Sequence, residues 1–320
     1  MIKYDELKSK PKDFIAVTGL NVDEFLHLLP AFDKIYRENT SQFNMYGKPR
    51  KRKSGAGVTG ALPRSEDKLL FILVYQKGYE LQTFLALQFG ISQPQANYWI
   101  HRLLPFLLEA MKRLDLTPER DPAEVKNYTP AQEGTLIELI IDGTERRRQR
   151  PKDHQQQKEN YSGKKKAHTI KNMILTDRAS RKIVYLGPTT AGKTHDKKMA
   201  DTESILYPIG STLMQDTGFQ GYAPENVRVE QPRKKPKGRE LDIGEKFMNA
   251  LLSSLRIVVE HSISGIKRCR IVKDVLRNTR SGIADLIMEI ACGLHNLRVS
   301  FRQAKNEFNI QELLEPTYSQ

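Results

Sequence analysis

Residues Met248 to Lys273 read MNALLSSLRIVVEHSISGIKRCRIVK, and the acid in their midst decides how the rest of the chain is read. Leu252, Leu255, Val259, Ile263 and Ile266 recur at spacings of three and four, which puts them on one face of an amphipathic helix. Arg256, Glu260 and Lys267 form a second stripe, with Glu260 four residues after Arg256 and seven before Lys267. Such spacing usually marks a solvated ion-pair face. Two acids upstream change the reading. Asp142 and Asp216 each close an apolar, strand-like run. Three carboxylates on separate elements, one of them a helix, are able to form a two-metal site.

The 320 residues suffice for two domains with their own cores. A net charge of +14 and a pI near 9.6 point to a polyanionic partner, nucleic acid before a membrane surface. No apolar run approaches the roughly 20 residues of a spanning helix. The opening MIKYDELKSKPKDF lacks the apolar core of a signal peptide, so a cytoplasmic protein is expected. Cys269 and Cys292 are the only cysteines and have no metal-ligand spacing, which fits a reducing compartment.

The spacing predicts a helix over Val22 to Tyr36, with Asn21 as its cap. Lys48 to Gly57, KPRKRKSGAG, reads as a basic linker: a DNA-backbone arm, a nuclear localisation signal or a solvated loop. From Arg64 the pattern sharpens. Ser65 to Gly78 is a helix expected to be capped by Ser65, and Leu81 to Gly90 is a shorter helix stopped by Gly90. Ser92 caps a third helix with Pro94 in its first turn. Helix, short helix, glycine turn and helix make a helix-turn-helix over about 64–113. Gln93, Gln95, Asn97 and Tyr98 are the candidate base readers, and Arg102 faces the backbone. The bland alternative is a plain three-helix bundle. Trp99 is expected in the core.

Leu114 to Gly134 carries three prolines and no apolar period, so a boundary falls there, with domains at 1–122 and 123–320. Beyond it, strands are expected at Leu136 to Ile141, His168 to Leu175, Ser180 to Gly187, Ser211 to Gln215 and Val227 to Glu230. The first ends in Asp142, and Gly143 is expected to turn the chain. Gln231 to Asp242 is a basic, proline-bearing loop suited to DNA. His195 and Asp196 open a helix, where a capping Asp196 is the plain reading. A last helix is expected over Ile283 to Phe301. Gly187 to Thr194, GPTTAGKT, fits the P-loop pattern after a strand and before a helix, which keeps a nucleotide-binding ATPase open.

Several motifs occur together and in order over about Leu136 to Arg302. They are IDGTE at Asp142, YSGKKKAHTIKN, Gly-x-x-His-Asp at Gly192 to Asp196, and QDTGFQGY at Asp216. The last is Asn-x6-Arg-x3-Glu-x6-Lys, from Asn249 through Arg256 and Glu260 to Lys267. This set resembles the DDE transposases of bacterial insertion sequences related to PIF/Harbinger elements. Ser253 stands where many such transposases carry a tyrosine. The resemblance implies an α/β, ribonuclease-H-like catalytic domain with a mixed five-stranded sheet behind the helical domain. It also implies two Mg²⁺ ions, or Mn²⁺, held by Asp142, Asp216 and Glu260, with Arg256 and Lys267 on DNA phosphates. Expected partners are double-stranded DNA, as terminal inverted repeats and target, and a second copy of the chain, with no membrane. A transposase-derived DNA-binding regulator and the P-loop ATPase remain as alternatives.

Overall fold

The computed structural model describes residues 1–44, 47–51, 60–130, 134, 136–236 and 238–314. The part of the expected basic linker at 52–57 lies outside the described residues. Two compact units emerge: Met1–Thr117 with Lys267–Asp274 and Asn278–Leu294, and Pro118–Ile266 with Val275–Arg277 and the chain from His295 on.

In the first unit, α1 (Tyr4–Lys8), α2 (Pro11–Thr18), α3 (Val22–Gln42), α4 (Ser65–Gly78), α5 (Gln82–Phe89) and α6 (Gln93–Arg113) follow in order. Asn21 caps α3 as expected. Its side chain accepts from Glu24 N at 2.8 Å, and the Glu24 carboxylate accepts from Asn21 N at 2.8 Å. Ser65 does not cap α4. The cap position is Arg64, whose backbone N–H and guanidinium both donate to Asp67, and the Ser65 hydroxyl is spent on Asp33. Gly90 stops α5 in the left-handed region at φ 65, which a glycine adopts without steric cost. Ser92 caps α6 with Gln95 as its reciprocal partner.

The second unit begins with β1 (Glu138–Arg147), followed by α7 (His154–Asn160), β2 (Tyr161–Ser162), β3 (Ala167–Asp177), β4 (Ile183–Leu186) and β5 (Thr190–Ala191). Then come α8 (Asp196–Glu203), β6 (Thr212–Met214), β7 (Arg228–Glu230) and α9 (Ile243–Ile266). The sheet runs β2-β3-β1-β6-β7, with β4 and β5 also pairing to β3. β1 is antiparallel to β3 and parallel to β6, and β6 is parallel to β7, so the sheet is mixed. The five expected strands are present, joined by the two-residue β2 and β5. Leu139, Ile141, Met173, Leu175, Leu213 and Phe219 pack a core on one face of this sheet.

β1 does not end at Asp142; it runs straight through Gly143 to Arg147 in register with β3. Gly143 serves space rather than a turn, because a Cβ added there would lie 2.7 Å from Asp196 Oδ1. The helix at Met248 to Lys273 is also not continuous. α9 starts earlier, at Ile243, and stops at Ile266; α10 (Arg270–Lys273) is separate and belongs to the first unit. Arg256 and Glu260 lie one turn apart on α9, but Lys267 has left the helix. Leu252, Val259 and Ile266 are buried as the periodicity required. Finally α11 (Ile283–Leu314) gives residues 283–294 to the first unit and the remainder to the second.

Candidate active site

Asp142 sits mid-strand on β1, in a ladder whose hydrogen bonds to β3 fix its position opposite Ile174. Its Oδ1 accepts from the N–H of Gly143 at 2.7 Å. Asp216 follows β6, the parallel neighbour of β1, and its Oδ1 accepts from Gly218 N at 2.7 Å, which folds 217–219 into a 3-10 turn. A third carboxylate stands between them. Asp196, the first residue of α8, places Oδ1 where a Gly143 Cβ would be 2.7 Å away and Oδ2 where a Gly218 Cβ would be 3.3 Å away. Lys171 on β3 donates to Asp196 Oδ1 at 3.2 Å. Burial, then the charges on Asp216 and Asp196, push Asp142 up to about 6, against the Gly143 hydrogen bond and Arg256.

Arg256 enters from α9. Its Nη2 lies 3.7 Å from Asp216 Oδ2, and its Nε is buried without a hydrogen-bond partner. The arginine expected on DNA or on Glu260 is thus turned to Asp216. Glu260, one turn further along α9, is exposed. Among the described residues no three His, Cys, Asp or Glu side chains form a group able to hold a metal ion. The structure therefore brings Asp142 and Asp216 together with Asp196 and Arg256, and leaves Glu260 on the open face of the helix. Like charges repel, and the arginine supplies the counter-charge at this distance. The chemistry of the clustered donors still suits a hard divalent cation, which takes carboxylate oxygens and would relieve their mutual repulsion.

Asp196 is not the cap of α8 that its place in the sequence suggested; it joins the acid cluster. The His195–Asp196 pair was visible, but its neighbours Gly143 and Gly218 are joined to it only through space. His195 occupies the cap position of α8 without a side-chain cap bond.

The P-loop reading fails on geometry. A phosphate cradle needs free backbone N–H groups. Here Thr190 and Ala191 pair with β3, Gly192 N donates to Thr169 O at 3.0 Å, Lys193 N to Glu159 O at 3.2 Å and Thr194 N to Ala191 O at 3.0 Å. A Cβ on Gly192 would meet Thr169, so this glycine permits strand packing.

In the helix-turn-helix, Gln93 and Gln95 are exposed on the first turn of α6. Gln82 of α5 gathers Gln93 Nε2 at 2.6 Å and Asn97 Nδ2 at 3.2 Å, while Gln95 is occupied in the cap. Tyr98 lies edge-on to Trp99 at 5.2 Å, and the Arg102 guanidinium sits 5.7 Å from the Tyr98 ring. Trp99 is half-buried, with the Lys68 ammonium 5.8 Å from its ring. The expected DNA-facing loop at 231–242 is largely self-paired: Arg233 and Arg239 both bind Glu245, and Lys235 binds Glu240. Lys237 lies outside the described residues.

Residues 141–296 match the family described as DDE superfamily endonuclease, and residues 61–113 match the helix-turn-helix of DDE superfamily endonuclease. In that order on one chain they define the class, an endonuclease of the DDE superfamily carrying the superfamily's own helix-turn-helix. The chain is similar to transposases of bacterial insertion sequences. It is 27% identical over 237 residues to the probable transposase for insertion sequence element IS702 of Microchaete diplosiphon, covering 74% of this chain and 82% of that protein. It is 24% identical over 238 residues to the putative transposase for insertion sequence element IS112 of Streptomyces albus G, covering 73% and 80%. No solved structure matches the chain. No described helix is long and apolar enough to cross a membrane.

Proposed function

We propose that the chain binds the terminal repeats of its element through α4–α6 and cleaves and rejoins DNA strands at a ribonuclease-H-like centre built on Asp142, Asp216 and Glu260. The observation carrying this reading is the half-buried Asp142 with the Asp216 and Asp196 carboxylates near it and Arg256 beside Asp216. Bound Mg²⁺ or Mn²⁺, two ions in the full site, would polarise the scissile phosphate and activate water or a 3′-hydroxyl. Asp142 and Asp216 would hold the metal from adjacent strands. Glu260 would join from α9, whose register also sets Arg256. The Arg256 guanidinium, with Nε unpaired, is placed to take a phosphate oxygen when the substrate arrives. Gln93, Gln95, Asn97 and Tyr98 would face the major groove, Arg102 and Lys267 the phosphates. A net charge of +14 supplies the sequence-independent part of DNA affinity. Pairing two ends calls for a homo-oligomer on DNA.

The test is nicking of a labelled duplex ending in the element's own repeat, in Mg²⁺ or Mn²⁺, with and without ATP. Cuts at the repeat end are expected for wild type, independent of ATP, and absent for Asp142→Ala and Glu260→Ala, both of which should still bind the repeat. Cuts that survive Asp142→Ala would remove the assignment. Tight binding with no cut in either metal would identify a regulator.

A further inference from the structure

We propose that a cationic pocket on the second unit, walled by α7, β2, β3 and the segment before α8, binds one unpaired nucleotide of the DNA substrate, stacking its base on Tyr161. The pocket is about 540 Å³ and is lined by Arg150, Gln157, Lys158, Tyr161, His168 and Lys193. That volume falls in the range of roughly 300–1,000 Å³ that takes a ligand of this size. Three of the six side chains are cations, and all three are exposed. Among the described residues none of them is paired to a carboxylate; Arg150 is held by the neutral Gln157 at 2.8 Å. Lys164, Lys165 and Lys166 are exposed on the β2–β3 turn and add to the positive field. Lys193, the lysine of the false P-loop motif, is thereby given a use.

Tyr161 decides the ligand. Tyr161 is 46% exposed, and its ring is braced in a T-shaped contact with His168 at 5.7 Å and a 70° interplanar angle, so an exposed aromatic ring is held in place. Paired bases in a duplex hide their faces from side chains. An aromatic platform among cations therefore suits an unpaired base with its phosphate. A binder of duplex backbone alone would need the cations and not the phenol.

The pocket is also placed to serve the reaction. Tyr161 pairs with His168 on β3, and Ile174, six residues on, pairs with Asp142. At roughly 3.3 Å per residue the separation is about 20 Å, or about six nucleotide steps at roughly 3.4 Å each. A strand engaged at Asp142 reaches this pocket without leaving the unit. The inference rests on the reading of the substrate as DNA, but not on cleavage.

Binding is measured in EDTA by fluorescence anisotropy with three labelled probes: a blunt duplex, the same duplex with a five-thymidine single-stranded tail, and the duplex with a five-residue abasic tail. The abasic tail keeps the phosphates and removes the bases. Wild type is expected to prefer the thymidine tail over the abasic tail by about tenfold, in line with one stacked base. Tyr161→Ala should erase that preference with blunt-duplex affinity unchanged, and Tyr161→Phe should retain it. Equal binding of thymidine and abasic tails by wild type, or a preference that survives Tyr161→Ala, overturns the proposal. Because no metal is present, a failure of the nicking assay leaves this measurement readable, and the two readings fail separately.

Discussion

Two half-buried carboxylates in the second unit are pushed toward protonation by desolvation, and only one belongs to the acid cluster. The other, Glu203, ends α8. Its Oε2 accepts from the Tyr185 hydroxyl at 2.7 Å and its Oε1 is buried without a partner. Gly187 allows this approach, since a Cβ there would lie 2.3 Å from Oε2. The nearby Arg120 spends one nitrogen on the carbonyls of Leu186 and Gly187 at 2.6 and 3.0 Å. Burial outweighs the Tyr185 bond and Arg120, and raises Glu203 to about 7. A carboxyl raised in the folded state stabilises it fully below the unfolded value, about 4.3, and loses that contribution as pH rises through about 7. Glu203→Gln keeps an acceptor for Tyr185 and cannot ionise. It should therefore gain on wild type between pH 5 and pH 8 by on the order of 1–2 kcal/mol, after discounting for partial exposure. Urea unfolding at both pH values checks this, and parallel shifts of the two proteins would refute it. The surroundings of Glu203 were not legible in the sequence, and Asp196 was legible only as part of the His195–Asp196 pair, because its approach to Gly143 and Gly218 is made through space. Asp142 and Asp216 were singled out in the sequence because each follows a local apolar run, and the structure sets them on or beside the adjacent strands β1 and β6.

At the scale of elements, β3 is the hub: β1, β2, β4 and β5 all pair with it. The turn from β3 to β4 is tied down by two helices. Ser262 of α9 donates to Arg181 O at 3.2 Å, and His295 Nε2 of α11 lies 2.9 Å from the same oxygen. Arg181 itself is left-handed at φ 60, so its carbonyl needs such partners to hold the turn. Asn296, 4% exposed, accepts from Ile183 N at 2.8 Å and donates to Ile183 O at 2.9 Å. Replacing it by leucine leaves two buried backbone groups without these bonds, at about 1–3 kcal/mol each. Asn296→Leu is expected to lower the unfolding free energy of the second unit by about 2–4 kcal/mol. A loss under about 0.5 kcal/mol in urea titration would show that water or another side chain takes over. Periodicity revealed the apolar faces of α9 and α11 and all five main strands. It gave no sign that α9 breaks at Ile266, since Cys269, Ile271 and Val272 continue an apolar pattern. The break coincides with the chain's passage from one unit to the other.

At the scale of the whole molecule, the chain is not two beads on a string. The first unit is finished by residues that come after the second has been traversed. Its central helix shows why. α4 is buried from Asp67 through Gln76 without interruption, so it needs neighbours on every side. Part of that cover returns late in the chain. Lys77 Nζ donates to Arg268 O at 3.1 Å, Lys112 pairs with Glu289 at 3.6 Å, and a Cβ on Gly293 would meet Met111 Sδ at 2.8 Å. Ile271, Val272, Ile283, Ile287, Met288 and Ile290 are buried there as well. The composition break at Leu114 to Gly134 was plain in the sequence because prolines and lost periodicity are local. The returning segments were not, because nothing in an apolar helix names its partner. A fragment ending at residue 122 holds the entire helix-turn-helix but none of this late cover. Deleting so much buried apolar surface, at about 1.5–3 kcal/mol per large side chain, exceeds the margin of a small domain. The fragment 1–122 is therefore expected to unfold without a sharp thermal transition. The same fragment joined by a glycine–serine linker to 267–294 should regain one. Cooperative melting of 1–122 alone, at the temperature of the corresponding transition in the full chain, would show that α1–α6 form a self-sufficient domain and that the late segments only decorate it.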